Sequence, residues 1–248
     1  METQVKKYGI EIEGEWLYSF ATDFANKHNL KIKGDGSIRK CRNGNHVFSL
    51  DPCELTTDAI LDNRTGINYV KKLFQNLQEA YNNGFFHYNK TCGLHFHFSF
   101  TPGKPPEIIS TQFIKVIHDK IQTDFPKVYR KRHNNSYCAY QVPENELIAE
   151  GTRYRFVNTL PAYYKHGTIE IRAFGADEPK KMFDYFNTTL KTIKHFLKQA
   201  NHSQIMTTKT EIEIDYQKYT EIETYNENIL KCASRFAEVV PSNTNIQY

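Results

Sequence analysis

Residues 93–100 alternate without a break: Leu94, Phe96, Phe98 and Phe100 fall on one side, Gly93, His95, His97 and Ser99 on the other. A period of two is the mark of a half-buried strand. Tyr8-Gly9-Ile10-Glu11-Ile12-Glu13 carries the same signal, with Tyr8, Ile10 and Ile12 opposite Glu11 and Glu13. Thr168-Ile169-Glu170-Ile171-Arg172-Ala173 repeats it and sets Glu170 and Arg172 on one face. Cys53-Glu54-Leu55-Thr56-Thr57 is a shorter strand, and residues 210–216 alternate again.

Between these strands the period changes to that of a helix. Ile67, Val70, Phe74, Leu77 and Tyr81 step by threes and fours, and Gly84 follows as a stop signal. Residues 16–28 place Leu17, Phe20, Ala21 and Phe24 on one stripe. Ser110 can cap a helix carrying Phe113, Ile117 and Ile121. Glu178-Pro179 opens a long helix over 178–199 with Phe183, Phe186, Leu190, Ile193 and Leu197 inward. Residues 221–239 also read as helix. Asp35-Gly36-Ser37 is a turn signature. Lys127 to His133 reads as a basic loop, and residues 144–150 as one or two helical turns.

The order is therefore strand, helix, turn, strand, helix, strand, helix, strand, helix. Buried parallel sheets read as continuous apolar runs, and these strands do not. The expectation is an α+β fold in a single domain over 1–248: an antiparallel or mixed sheet, helices on its apolar face, its polar face open. With 39% hydrophobic and 14% aromatic residues there is enough apolar material for a real core, which excludes global disorder. A net charge of +4 is too mild to demand a polyanionic partner. The first residues lack a secretion pattern and no apolar run approaches a membrane span, so a cytoplasmic setting is expected. The five cysteines are scattered with no C-x-x-C pair, which reads as reduced thiols; Cys53 and Cys92, inside strand-like motifs, read as buried.

Chemistry enters through the polar face. Four strands set Glu11, Glu13, Glu54, His95, His97, Glu170 and Arg172 on their non-apolar sides. Alternate residues on a strand lie roughly 7 Å apart. Like charges brought to 4 Å repel by about 4 kcal/mol per pair at an effective dielectric near 20. Gathered carboxylates therefore need protons or cations among them. Oxygen-rich sites with an imidazole suit Mg²⁺ or Mn²⁺. Taken singly, each signal has a plainer reading. Glu11 and Glu13 suit a solvated sheet face, His95-x-His97 a chance pair or half a zinc site, and Glu170 with Arg172 a surface ion pair. Their joint occurrence in this order is what counts.

The segments Gly9-Ile10-Glu11-Ile12-Glu13, Asp35-Gly36-Ser37, Glu54-Leu55-Thr56, Cys92-Gly93-Leu94-His95-Phe96-His97, Arg153-Tyr154 with Asn158, and Thr168-Ile169-Glu170-Ile171-Arg172 resemble, as an ordered set, the motif series of the amidoligase family. That family is related to glutamine synthetase and glutamate–cysteine ligase, and the resemblance runs over about residues 8–175. It implies a glutamine synthetase-like curved sheet forming a funnel, and an ATP- and Mg²⁺- (or Mn²⁺-) dependent carboxylate–amine ligase working through an acyl phosphate. Carried over by position, Glu11, Glu13, Glu54, His95 and Glu170 would handle metal, and Glu11, Glu54, His95 and Arg172 the nucleotide phosphates. Arg172 would meet the transferring phosphate and Arg153 a second phosphate or the substrate carboxylate. His97 is a candidate for orienting substrate or taking the amine proton.

Two other classes are weighed against the ligase: a metal-dependent hydrolase or phosphoesterase using the same face, and a non-catalytic nucleotide-binding relative. The expected partners are small-molecule or peptide carboxylates and amines; nucleic acid is not expected, the basic run at 127–133 reading better as a solvated loop. Glu211-Ile212-Glu213-Ile214-Asp215 reads as a charged edge strand.

Overall fold

A computed structural model describes residues 3–40, 49–101, 110–132, 155–159 and 167–203. The expected strand at 210–216, the helix at 221–239, the turns at 144–150, and Arg153, Cys41, Cys138 and Cys232 lie outside the described residues.

The chain opens on β1 (Gln4–Trp16), longer at both ends than its alternating centre, and continues into α1 (Tyr18–His28) and β2 (Leu30–Gly34). Then come β3 (Asp51–Thr57), β4 (Ile60–Leu61), α2 (Arg64–Asn82), β5 (Phe86–His87) and β6 (Gly93–Thr101). Helices α3 (Thr111–Asp124) and α4 (Pro126–Arg132) precede β7 (Val157–Asn158), β8 (Ile169–Gly175) and α5 (Pro179–Ser203). The sheet order is β2-β3-β1-β6-β8-β7, with β4 and β5 pairing on β1. Every pairing among the described strands is antiparallel. The fold is α+β with an open antiparallel sheet, as the patterning implies.

The helices begin and end where local chemistry places them. The Asn63 side chain accepts from the Gly66 N–H at 2.8 Å and caps α2. After α2 the chain turns at Gly84, with φ 74°, and Phe85 N–H bonds Ala80 O at 2.9 Å. Ser110 caps α3 through the Phe113 N–H at 3.1 Å, as its position suggests. The basic run at 127–133 departs from expectation. Lys127 to Arg132 are helical, behind Pro126, whose fixed φ suits the first helical position.

The core is the face the alternation marks as apolar. Tyr8, Ile10, Ile12, Leu94, Phe96, Phe98, Ile169 and Ile171 are all buried there. Phe186 of α5 sits edge-on to Tyr8 and Phe96, with ring centroids 5.0 and 5.6 Å away, and stacks on Phe98 at 6.4 Å. Cys53 and Cys92 are buried free thiols, and burial pushes each up to about 12. Their expected role as small reduced core residues holds.

His118 of α3 is packed into this core, stacked on Phe156 at 4.3 Å and edge-on to Tyr129. Burial alone lowers it to about 4. Its folded value lies below its unfolded one, so the folded state binds the proton less readily. The stability it permits is full above about pH 6.5 and declines as pH falls toward 4. Between pH 8 and pH 5 the loss should be about 2 kcal/mol, and His118→Phe should remove most of that slope in urea titrations. An unchanged slope would contradict a neutral buried imidazole.

Candidate active site

The polar face is built by register. Across β1 and β3, Glu13 stands opposite Glu54 and Glu11 opposite Thr56. Across β1 and β6, Glu11 stands opposite His95 and Gly9 opposite His97. Across β6 and β8, His97 faces Glu170, and Asn158 of β7 faces Glu170 from the far side. Antiparallel pairing places directly opposed side chains within about 5.5 Å, so these groups meet without any loop to bring them together.

A bulge completes the set. Leu94 pairs Phe174 and Phe96 pairs Ile171, so β8 spends one more residue than β6 over this stretch. Arg172 and Ala173 therefore share the place opposite His95. The extra residue resets the alternation and returns Phe174 to the apolar side, where its ring lies 5.6 Å from Phe96.

The contacts are short. Glu11 reaches His95 Nδ1 with Oε2 and His97 Nε2 with Oε1, each at 3.1 Å. Glu170 Oε1 lies 3.7 Å from His95 Nδ1 and 3.9 Å from His97 Nε2. The same oxygen meets the Arg172 guanidinium at 2.5 Å, and Asn158 Nδ2 donates to the other at 2.7 Å. Glu13 accepts from the Gly93 N–H at 2.6 Å and lies 3.7 Å from His95 Nε2. Glu54 is held by Lys33 at 3.2 Å and by the Thr56 hydroxyl at 2.9 Å.

His95, Glu13 and Glu170 are each more than nine-tenths buried, so their polar atoms must be answered within the site. Burial works to raise Glu11, but its hydrogen bonds to His95 and His97 outweigh that and hold its carboxyl far below the usual range. Burial likewise opposes ionised Glu170, and His95, Arg172 and His97 overcome it. Glu13 goes the other way: burial raises it, and His95 and the Gly93 N–H only partly offset the shift. Burial would lower His97, yet the Glu11 and Glu170 carboxylates raise it.

Among the described residues, two groups each have donor atoms that all lie within 4.8 Å of one another: Glu11, His95 and Glu170, and beside them Glu13, Asp35 and Glu54. The sequence reading treats Glu11, Glu13, Glu54, His95 and Glu170 as one metal-handling set. The structure divides them in two, with His95 within ion-pair range of both. Asp35 is the addition. In sequence it carries a turn signature and a place in the motif series but no metal role, and its Oδ1 does accept the Ser37 N–H at 2.8 Å. Glu15, also unforeseen, continues the carboxylate row of β1, where Asn89 Nδ2 donates to it at 2.7 Å.

The donor set fits a hard divalent cation: carboxylate oxygens in excess, imidazole nitrogen in reach, and, among the described residues, fixed cations only at the two ends of the row, Lys33 beside Glu54 and Arg172 beside Glu170. Gly93 keeps the space open, since a Cβ there would come within 2.6 Å of His95 Nε2 and 3.0 Å of Glu13 Oε2. Asn158 Oδ1 is buried with no partner among the described residues, an acceptor left over at the margin.

The family model described as "putative amidoligase enzyme" matches residues 4–147, more than half of the chain. The chain belongs to the amidoligase family. No curated protein matches it. The match takes in Glu11, Glu13, Asp35, Glu54, His95 and His97; Asn158, Glu170 and Arg172 lie beyond it and join the site through β7 and β8. An amidoligase is a ligase-type enzyme acting on small-molecule or peptide substrates. The two groups, one carboxylate–histidine and one of carboxylates alone, are of a kind that can serve such an enzyme with a metal ion. No helix among the described residues is long and apolar enough to cross a membrane.

Proposed function

We propose that this amidoligase is an ATP-dependent carboxylate–amine ligase that forms an amide through an acyl phosphate, with Mg²⁺ or Mn²⁺ as its cation. The observation that carries the reading is the convergence of Glu11, His95 and Glu170 on one open antiparallel sheet, in a chain of this family. Such a sheet is also the framework a glutamine synthetase-like funnel would use.

The chemistry explains why these residues belong together. A carboxylate resists attack, because addition must place charge on an anion. Its oxygen first attacks the γ-phosphorus of ATP and ADP leaves. The amine nitrogen then attacks the acyl carbon, inorganic phosphate leaves, and a base takes the amine proton. Glu11, Glu13, Glu54, His95 and Glu170, now with Asp35, would hold the divalent ions. When bound, those ions supply charge neutralisation and in-line alignment of the phosphates.

Arg172 stabilises the charge on the transferring phosphoryl group; its guanidinium is already oriented by Glu170 on the same face. Asn158 holds the other oxygen of Glu170 and so fixes that carboxylate from outside. His97 takes the amine proton, and the carboxylates beside it favour the protonated form that results. Arg153, outside the described residues, is carried over from the family resemblance alone as a further phosphate or carboxylate contact.

An ADP-release screen over mixtures of acids and amines, with mass spectrometry of products, tests the reading. The expected result is one ADP per amide, dependent on both substrates and on Mg²⁺. A metal-dependent hydrolase on the same face would make product without stoichiometric nucleotide, and that outcome would replace the ligase.

A further inference from the structure

A cavity of about 880 Å³ lies where α4, the start of α5 and the segment between β5 and β6 meet. It is not the carboxylate site. Tyr185 on its wall stacks on Phe174, and Phe174 packs on Phe96 of the apolar face. Cys92 lines the cavity, while Gly93, the next residue, faces Glu13 on the other side of the sheet.

Its lining is charged in one direction. Lys90, Lys127, Lys131, Arg132 and Lys181 contribute to it, against Asp124 and Asp177. Both acids are already engaged. Asp177 pairs with Lys181 at 3.3 Å and accepts from Tyr185 Oη at 2.8 Å, and Asp124 pairs with Lys120 at 3.0 Å. Lys90, Lys127 and Lys131 make no ion pair among the described residues, and they come from two separate segments of chain. Three cations left over around one concavity attract an anion more strongly than the same charges spread on a convex surface.

Apart from Asn89, the rest of the lining is apolar and aromatic. Phe125 packs edge-on to Tyr185 with ring centroids 4.8 Å apart, so this wall is held rigidly by the core behind it. The volume lies within the range of small-molecule sites, which pair an apolar body with a few convergent polar groups.

We propose that this cavity is a second ligand site, beyond the ligase reading, for a small organic anion: an aromatic ring seated against Phe125, Tyr185 and Tyr88, with an oxyanion held by Lys90, Lys127 and Lys131. The oxyanion is met by ammonium groups, so binding there needs neither divalent metal nor nucleotide.

Two probes separate the chemical source of the anion: phenyl phosphate and benzoate, each titrated into the full chain without metal or ATP and followed by amide NMR shifts. Roughly millimolar affinity or better is expected for at least one of them. Shifts should centre on residues 88–92, 124–132 and 175–185. Preference between the probes identifies phosphate or carboxylate as the head group. Lys127→Glu with Lys131→Glu should weaken binding by about tenfold or more, and Lys90→Glu, on the other segment, by several-fold. Shifts confined to Glu11, His95 and Glu170, no binding of either probe, or affinity unchanged in both variants would each overturn the proposal. Loss of ligase activity has no bearing on it, and unchanged binding in Glu11→Gln keeps the two sites distinct.

Discussion

Glu11→Gln is expected to lower Mg²⁺-dependent ATP turnover by roughly a thousandfold or more while leaving the protein folded. The substitution keeps the shape of the side chain and removes its charge. In the structure each carboxylate oxygen serves a different imidazole, His95 and His97, both at 3.1 Å. An amide can present only one acceptor oxygen and turns a donor toward the other ring. One imidazole loses its acceptor and the triad with His95 and Glu170 loses a charge. The sheet pairing around residue 11 is made by backbone groups opposite Thr56 and His95, which the change leaves alone. Turnover by ADP release and a thermal melt measured together check the prediction. Full activity in a folded variant would contradict the assignment.

Gly93→Ala should cost about a hundredfold in activity, although it adds one methyl group. That methyl would sit 2.6 Å from His95 Nε2 and 3.0 Å from Glu13 Oε2. Real Cβ atoms do not approach so closely, so His95 or Glu13 must move, and both belong to the groups proposed to hold metal. The Gly93 N–H also anchors Glu13, so a backbone shift loosens that carboxylate as well. Gly36→Ala is the control, since a Cβ there meets nothing within 4 Å. Steady-state kinetics on both variants separate a local steric effect from a general loss of glycine. Equal activity in the two would contradict the crowding.

Much of this site was legible because it lies on strands. In Ile10-Glu11-Ile12-Glu13 and Leu94-His95-Phe96-His97, a strict period of two assigns every side chain to a face before any partner is known. The apolar halves of those strands were also the core. Pairings were not legible: nothing local places Glu54 opposite Glu13 or Asn158 opposite Glu170. The bulge in β8 escaped for the same reason, since Ala173-Phe174 reads as simple continuation and the extra residue shows only against β6.

Asp35 reads as a turn residue within a motif, and it is a turn residue; its place beside Glu13 and Glu54 is set by tertiary contact. Strands β4 and β5 have two residues each, too few to carry a period. Strand β2, Leu30-Lys31-Ile32-Lys33-Gly34, does alternate, but its lysines and its edge position disguise it as surface loop. In α4 the basic residues masked a helix that Pro126 announces.

The proposed ligase depends on Glu11, His95 and Glu170 holding a divalent cation between three strands. Mn²⁺ titration followed by electron paramagnetic resonance tests it without reference to any substrate. The expected result is saturable quenching of the free Mn²⁺ signal by the native protein, competed by Mg²⁺ and weakened by roughly tenfold or more in Glu11→Gln and in Glu170→Gln. No quenching by the native protein, or the same affinity in both variants, would contradict it.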